Sequence, residues 1–317
     1  MTHETHLDNR EHDAEFAEAV IEGLGKTKKS LPCRFFYDAA GSEIFERITR
    51  EPEYYPTRTE AALIAESAAR IAERTVAGTV LIEFGSGSSR KTEILLSELV
   101  DLAAYVPIDV SGDALREARE RLAAKFPMLR VFPIVGDFGA DVRLPENLVE
   151  APRLGFFPGS TIGNFTPEDA RALLEQFGRQ IGSGRLIVGV DLRKDLSVLI
   201  PAYNDAAGST AAFNLNLLTR INRELGADFE RRAFRHEAVW NGDEGRIEMH
   251  LVSRRRQDVH VLGRTFTFTE GERIHTENSY KYTIDGFREV AEGAGWQVTA
   301  VWTDPQGWFS LQELTRN

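Results

Sequence analysis

Residues 82–92, IEFGSGSSRKT, nearly complete two nucleotide-binding signatures and satisfy neither. Against the phosphate loop G-x-x-x-x-G-K-[ST] they supply Gly85, Lys91 and Thr92. Arg90, however, stands where a second glycine must let the backbone curl round a phosphate. Against the dinucleotide fingerprint G-x-G-x-x-G they supply Gly85 and Gly87, and Arg90 again occupies a place where close helix–strand packing wants no side chain. The turn therefore suits a ligand that needs a tight glycine loop after a strand and no pyrophosphate cradle.

Outward from this turn, TVLIEFG reads as a buried strand and residues 91–99 as a helix. AYVPIDVS is a second strand, and residues 114–126 then repeat Leu115, Ala118, Leu122 and Phe126 at helical spacing. LRVFPIVGDF is a third strand, LGFFPGSTIGNF a fourth and RLIVGVDL a fifth. Between the last two, Thr166-Pro167 opens a helix with a threonine cap and proline at the first helical position. Strands alternating with helices predict an α/β fold with a doubly wound, mainly parallel sheet.

After Asp191 the pattern changes. Residues 197–235 read as helical, followed by two long strands, 246–253 and 257–268, with Ile247, Met249 and Leu251 on one face. A helix near 284–294, then WQVTAVWTD and WFSLQEL, restore the α/β pattern. The expected organisation is one domain of residues 58–194 and 284–317. It is interrupted by a second α+β domain of residues 195–283, on which residues 1–57 pack.

The net charge of −11 is a poor electrostatic footprint for a nucleic-acid partner. The basic run Arg254-Arg255-Arg256 reads as a solvated turn. Cys33 stands alone, so no internal disulfide forms, and the seven histidines show no metal-ligand spacing; no metal is expected. No apolar run approaches a membrane span, and the first sixteen residues are polar and acidic. The expectation is a cytoplasmic monomer with no membrane or nucleic-acid partner.

An acidic residue two positions before the first glycine, followed by G-x-G, describes a third kind of turn, that of class I, Rossmann-like methyltransferases. There the loop lies under the amino-acid part of S-adenosylmethionine, a ligand without phosphate, and Arg90 obstructs nothing. Glu83 can accept loop N–H groups or face the cofactor's cationic end. Asp109 ends the second strand, where a carboxylate accepts ribose hydroxyls. Asp137 and Phe138 end the third, placed to bind the adenine amino group and cover the ring. Asp109 or Asp137 alone reads equally well as a turn residue. Five such residues, Glu83, Gly85, Gly87, Asp109 and Asp137, at strand ends on one sheet edge make that reading much weaker.

The blocks FFYDAAGSEIFERITREPEYYPTRTE, GSGSSRKT, GDF, FFPGSTIGNF and IHTENSYKY, in this order, resemble the ergothioneine-pathway L-histidine Nα-methyltransferases over nearly the whole chain. The resemblance implies trimethylation of the histidine α-amino group to hercynine by three molecules of S-adenosylmethionine. It implies cofactor contacts from Tyr37, the Gly85 loop, Lys91, Asp109 and Asp137-Phe138. Asn164 would hold the α-amino and carboxylate groups, and Asn164 and Tyr37 would be the catalytic residues. Tyr203 would bind the carboxylate, Tyr55 would line the acceptor pocket, and Glu277 and Ser279 would grip the imidazole against Met249. Asn278 and Tyr280 depart from the family's pattern and would alter the pocket if turned inward.

These residue types suit the chemistry. Methyl transfer from a sulfonium is an in-line displacement, so the enzyme chiefly aligns the nucleophile and strips its water. A neutral amide such as Asn164 orients an amine that becomes permanently cationic without trapping it in an ion pair. A carboxylate such as Glu277 pairs with an imidazole N–H. Two other readings compete: the same chemistry on tryptophan or tyrosine, and a non-catalytic S-adenosylmethionine-binding module. Glu277 and Met249 argue against the first; Tyr55, Asn164 and Tyr203 argue against the second. On pattern alone Met249 also reads as core, and Thr57 to Glu60 as a helix capping box.

Overall fold

The computed structural model describes residues 4–87, 89–140 and 142–316; Ser88 of the glycine turn lies outside the described residues. The chain forms two compact units, Tyr55–Lys194 with Tyr280–Asn317, and Met1–Tyr54 with Asp195–Ser279. Among the described residues no helix is long and apolar enough to cross a membrane.

The first of these units is built on seven strands: β1 (Val80–Phe84), β2 (Ala104–Asp109), β3 (Ile134–Val135), β4 (Arg153–Phe157), β5 (Arg185–Asp191), β6 (Gln297–Thr303) and β7 (Phe309–Thr315). Their order is β6-β7-β5-β4-β1-β2-β3. The five strands from β5 to β3 are parallel, while β7 runs antiparallel to both β5 and β6. The order reverses between β1 and β4, the switch point beside which open α/β sheets bind ligands. All of β1 is buried, as a strand covered on both faces must be. Val80, Ile82 and Phe84 join the core under the helix Pro167–Ile181, where Phe84 stacks on Phe177 at 3.9 Å. Leu81 points the other way, into a second core with Leu63, Leu95 and Tyr105. Thr166 caps the Pro167–Ile181 helix by accepting from the Asp169 N–H, with proline in the first turn as the sequence predicts.

The third strand is far shorter than the run LRVFPIVGDF suggests. Val131 bridges Tyr105, and pairing resumes only at Ile134. Pro133 lies between and has no N–H for the ladder; edge strands tolerate such a gap.

The other unit holds helices Glu4–Gly25, Ala39–Ile48, Leu196–Ala202 and Ser209–Leu225. Its four-stranded sheet has the order Lys29–Ser30, Arg273–Tyr280, Arg246–Ser253, Phe234–Asn241. Three expectations change here. The helical stretch ends at Leu225 because Gly226 takes a left-handed cap, and Phe234–Asn241 is a strand. The expected strand 257–268 is a hairpin, Gln257–Val261 against Arg264–Phe268. Leu262 and Gly263 both adopt positive φ (48° and 76°) at its turn, the pair of values a tight hairpin requires. Arg254 to Arg256 form an exposed turn, with Arg255 paired to Glu230.

Candidate active site

Gly85 and Gly87 both have positive φ, 73° and 48°, which explains the glycines. A Cβ on Gly85 would also lie 3.3 Å from the Phe138 ring, so that ring rests on the turn. The Gly87 N–H donates to Asp109 Oδ2 at 2.8 Å, and the Ser111 N–H to Oδ1 at 2.9 Å. Asp109 at the end of β2 thus braces the loop that follows β1. Asp137 is exposed; one of its oxygens takes the Gly139 N–H at 2.7 Å.

Glu83, expected at the loop or the cofactor, is buried at the end of β1. The pleat of β1 turns it to the face of Leu81, where Thr92 donates to Oε1 at 2.6 Å and the Tyr105 hydroxyl donates to Oε2. Burial pushes its carboxyl up to about 8, against the pull of both hydroxyls. It ties strand to helix beneath the turn, and among the described residues no loop amide donates to it.

Glu60 is not part of a capping box. The helix Tyr55–Glu73 starts three residues earlier than that box requires, and Glu60 is fully buried. It accepts the Gly159 N–H on both oxygens (2.8 and 2.9 Å) and the Lys91 ammonium at 2.5 Å. Gly189 makes room for it, since a Cβ there would lie 2.0 Å from Oε1. Lys91, expected at the cofactor, is therefore also anchored to the turn after β4. That turn continues through Ser160, at φ 55°, whose Oγ accepts the Asp191 N–H. It ends in the short 3-10 helix Thr161–Asn164. The Asn164 side chain is half-buried, and among the described residues no protein group hydrogen-bonds it.

Tyr55 is buried and its hydroxyl faces Asp191, at 2.9 and 2.7 Å from the two oxygens. Lys194 donates to the Tyr55 hydroxyl at 2.6 Å, to the Leu192 carbonyl at 2.6 Å and to Asp191. Lys281 reaches Asp191 Oδ2 at 2.7 Å. Burial opposes the charge on Asp191, but Lys281 and Lys194 outweigh it and hold the carboxyl below its usual range. Burial also pulls Lys194 down to about 8, against the attraction of Asp191.

In the other unit, the Tyr203 hydroxyl lies 2.7 Å from Ser279 Oγ, so those two expected residues meet. Glu277 is half-buried on the same strand as Ser279. Burial, then the charge of Glu277, pushes the Cys33 thiol up to about 12. Tyr37 packs edge-on to Phe45 and Phe213, both at 5.6 Å. Met249 is buried in the row with Ile247 and Leu251, and its carbonyl accepts from Thr276. Asn278 is spent on His275, whose Nε2 lies 2.8 Å from its Oδ1, and Tyr280 is buried.

Asp191, Lys194, Lys281 and Glu60 escaped the sequence reading. A charge closing the apolar run RLIVGVD was the available signal for Asp191.

Residues 16–316 match the family model for histidine-specific, S-adenosylmethionine-dependent methyltransferases. The chain is 44% identical over 308 residues to a histidine N-alpha-methyltransferase of Mycolicibacterium smegmatis, covering 94% of each chain. A histidine N-alpha-methyltransferase of Mycobacterium tuberculosis is 42% identical, with 92% of each covered. Ergothioneine biosynthesis protein 1 of Neurospora crassa is 32% identical over 87% of this chain and 32% of its own length.

Proposed function

The chain belongs to the histidine-specific, S-adenosylmethionine-dependent methyltransferases, and from that premise we propose that it transfers three methyl groups to the α-amino nitrogen of L-histidine. The product is hercynine, Nα,Nα,Nα-trimethylhistidine, and the reaction is the first step of ergothioneine biosynthesis. The observation that carries this reading is Asn164: a half-buried amide without a protein partner among the described residues, on a turn pinned by Glu60 and Ser160. An anchored neutral amide orients an amine through successive transfers and forms no ion pair with the quaternary product.

The turn after β1 fits S-adenosylmethionine. A Cβ on Gly87 would meet no atom within 4 Å, so the loop is open on that side. Asp109 keeps further lone pairs for two ribose hydroxyls while bracing Gly87. Asp137 has a second oxygen for the adenine amino group, and Phe138 covers the ring from its seat on Gly85. Lys91 keeps a cation beside the turn for the cofactor's carboxylate. When bound, the cofactor supplies a methyl group on a cationic sulfur, open to in-line displacement. On the acceptor side Tyr203 and Ser279 form a hydroxyl pair for the carboxylate and imidazole, Glu277 takes an imidazole N–H, and Tyr37 presents an aromatic face. The α-ammonium loses its proton to water before each transfer, so no dedicated base is required.

Mass spectrometry of a panel of free amino acids with S-adenosylmethionine tests this reading. Histidine is expected to gain about 42 Da, all on the α-nitrogen, and α-N-methyl- and α-N,N-dimethylhistidine should also be consumed. A ring-methylated product, or a reaction that stops after one methyl, contradicts it. For the cofactor side, Asp109→Ala is expected to weaken S-adenosylhomocysteine binding by about 1–3 kcal/mol, through loss of charge-assisted hydrogen bonds. Calorimetry showing unchanged affinity would remove Asp109 from the site.

A further inference from the structure

The helix Leu196–Ala202 stops at Tyr203, whose backbone has left helical values (φ −111°, ψ 4°). Carbonyls at a helix C-terminus lack partners inside the helix. Here the Tyr203 carbonyl lies 2.8 Å from His236 Nε2. On the other side of the ring, Asn214 Nδ2 lies 2.9 Å from His236 Nδ1 and 3.2 Å from the His250 carbonyl. An amide nitrogen only donates, and the His250 carbonyl fixes which way this buried amide points. Nδ1 must then be the accepting lone pair, and Nε2 carries the proton given to Tyr203. A single, neutral tautomer satisfies both neighbours. Burial favours it, drawing the imidazole below its usual range against the Tyr203 carbonyl and the carboxylates of Asp205 and Glu237.

The far end of Tyr203 is its hydroxyl, 2.7 Å from Ser279 Oγ, and its ring meets Tyr54 edge-on at 6.4 Å. The imidazole thus holds the backbone from which this hydroxyl reaches Ser279. We propose that His236 is a positioning residue for the acceptor, setting affinity for the amino-acid substrate through the place it gives Tyr203. The inference rests on the reading of Tyr203 as an acceptor-binding group, proposed above.

Steady-state kinetics of H236L, H236Q, Y203F and H236L/Y203F in the full-length enzyme test it. H236L should raise KM for histidine about 10- to 50-fold, with kcat within about threefold. Affinity for S-adenosylhomocysteine should stay within about twofold. H236Q places an N–H near the Nε2 position and should restore KM to within about threefold of wild type. If Tyr203 transmits the effect, the double variant should be no more than about threefold worse than the worse single variant. An unchanged KM in H236L beside a raised KM in Y203F overturns the role of His236 alone. An unchanged KM in Y203F removes Tyr203 from the acceptor site and the inference with it. Independent, multiplying losses in the double variant also overturn it. Should H236L fold poorly, H236N, too short to reach the Tyr203 carbonyl, carries the same expectation.

Discussion

Glu277→Ala is expected to lower kcat/KM for histidine by roughly 30- to 1000-fold, about 2–4 kcal/mol of transition-state binding. The carboxylate is half-buried on the strand that also carries Ser279, and in the proposed function it accepts an imidazole N–H. Without it that N–H loses its charged acceptor. A site built on a polar pair discriminates far more sharply than one built on an apolar fit. An apolar acceptor side chain suffers no such loss in the enlarged pocket, so activity on tryptophan or phenylalanine relative to histidine should rise. Competition between histidine and tryptophan reads this directly; full retention of histidine preference would show that Glu277 is not the selector. Cys33 supplies a second readout that does not depend on the acceptor. It is the chain's single cysteine, and the charge of Glu277 adds to burial in raising its thiol. In the alanine variant the thiol should ionise at lower pH, seen as alkylation beginning at lower pH. S-adenosylhomocysteine affinity should move by no more than about twofold, since Glu277 and the glycine turn belong to different units.

What could be read from the sequence divides along physical lines. Strand ends were legible because apolar runs stop abruptly at polar residues there: Asp109 closes β2 and braces Gly87, and Phe138 follows β3 and rests on Gly85. The direction a charged side chain takes was not. Glu83 has the right spacing to serve the loop, yet the pleat carries it into the opposite core, where two hydroxyls meet it. Glu60 has the spacing of a capping box, a local pattern. Its partners Gly159 and Lys91 are 99 and 31 residues away, and no local rule reaches them. The hairpin in residues 257–268 was also missed: Val259 and Val261 give way to Phe266 and Phe268 one position out of phase, and that shift, with Gly263, marks the turn. His236 is the extreme case. Its role depends on which ring nitrogen carries the proton, and that is set by an amide on one helix and a carbonyl at the end of another.

The largest stability effect is expected at Asp191. Its carboxylate sits in the buried end of β5 between Lys194 and Lys281, whose side chains are 3% and 0% exposed. Asp191→Ala removes the anion that both ammonium groups share and leaves the two cations to repel each other. Removing one partner of a buried ion pair typically costs about 3–5 kcal/mol, because the remaining charge is uncompensated. The Tyr55 hydroxyl loses its two contacts with Asp191 as well. Tm should fall by roughly 2–4 °C for each kcal/mol in a unit of this size, so a drop of about 10 °C is expected by calorimetry. A second substitution separates this account from simple loss of packing. Asp191→Ala with Lys281→Met removes one of the two cations and keeps its aliphatic volume, so the double variant should be more stable than the single. If the cluster were merely packed, the second change would add its own cost and lower Tm further. Lys281→Met alone should be the milder single change, since Lys194 still neutralises Asp191 and keeps all three of its donors satisfied. A loss below about 1 kcal/mol in Asp191→Ala, or a double variant less stable than that single one, would show that the triad is not held by its central charge.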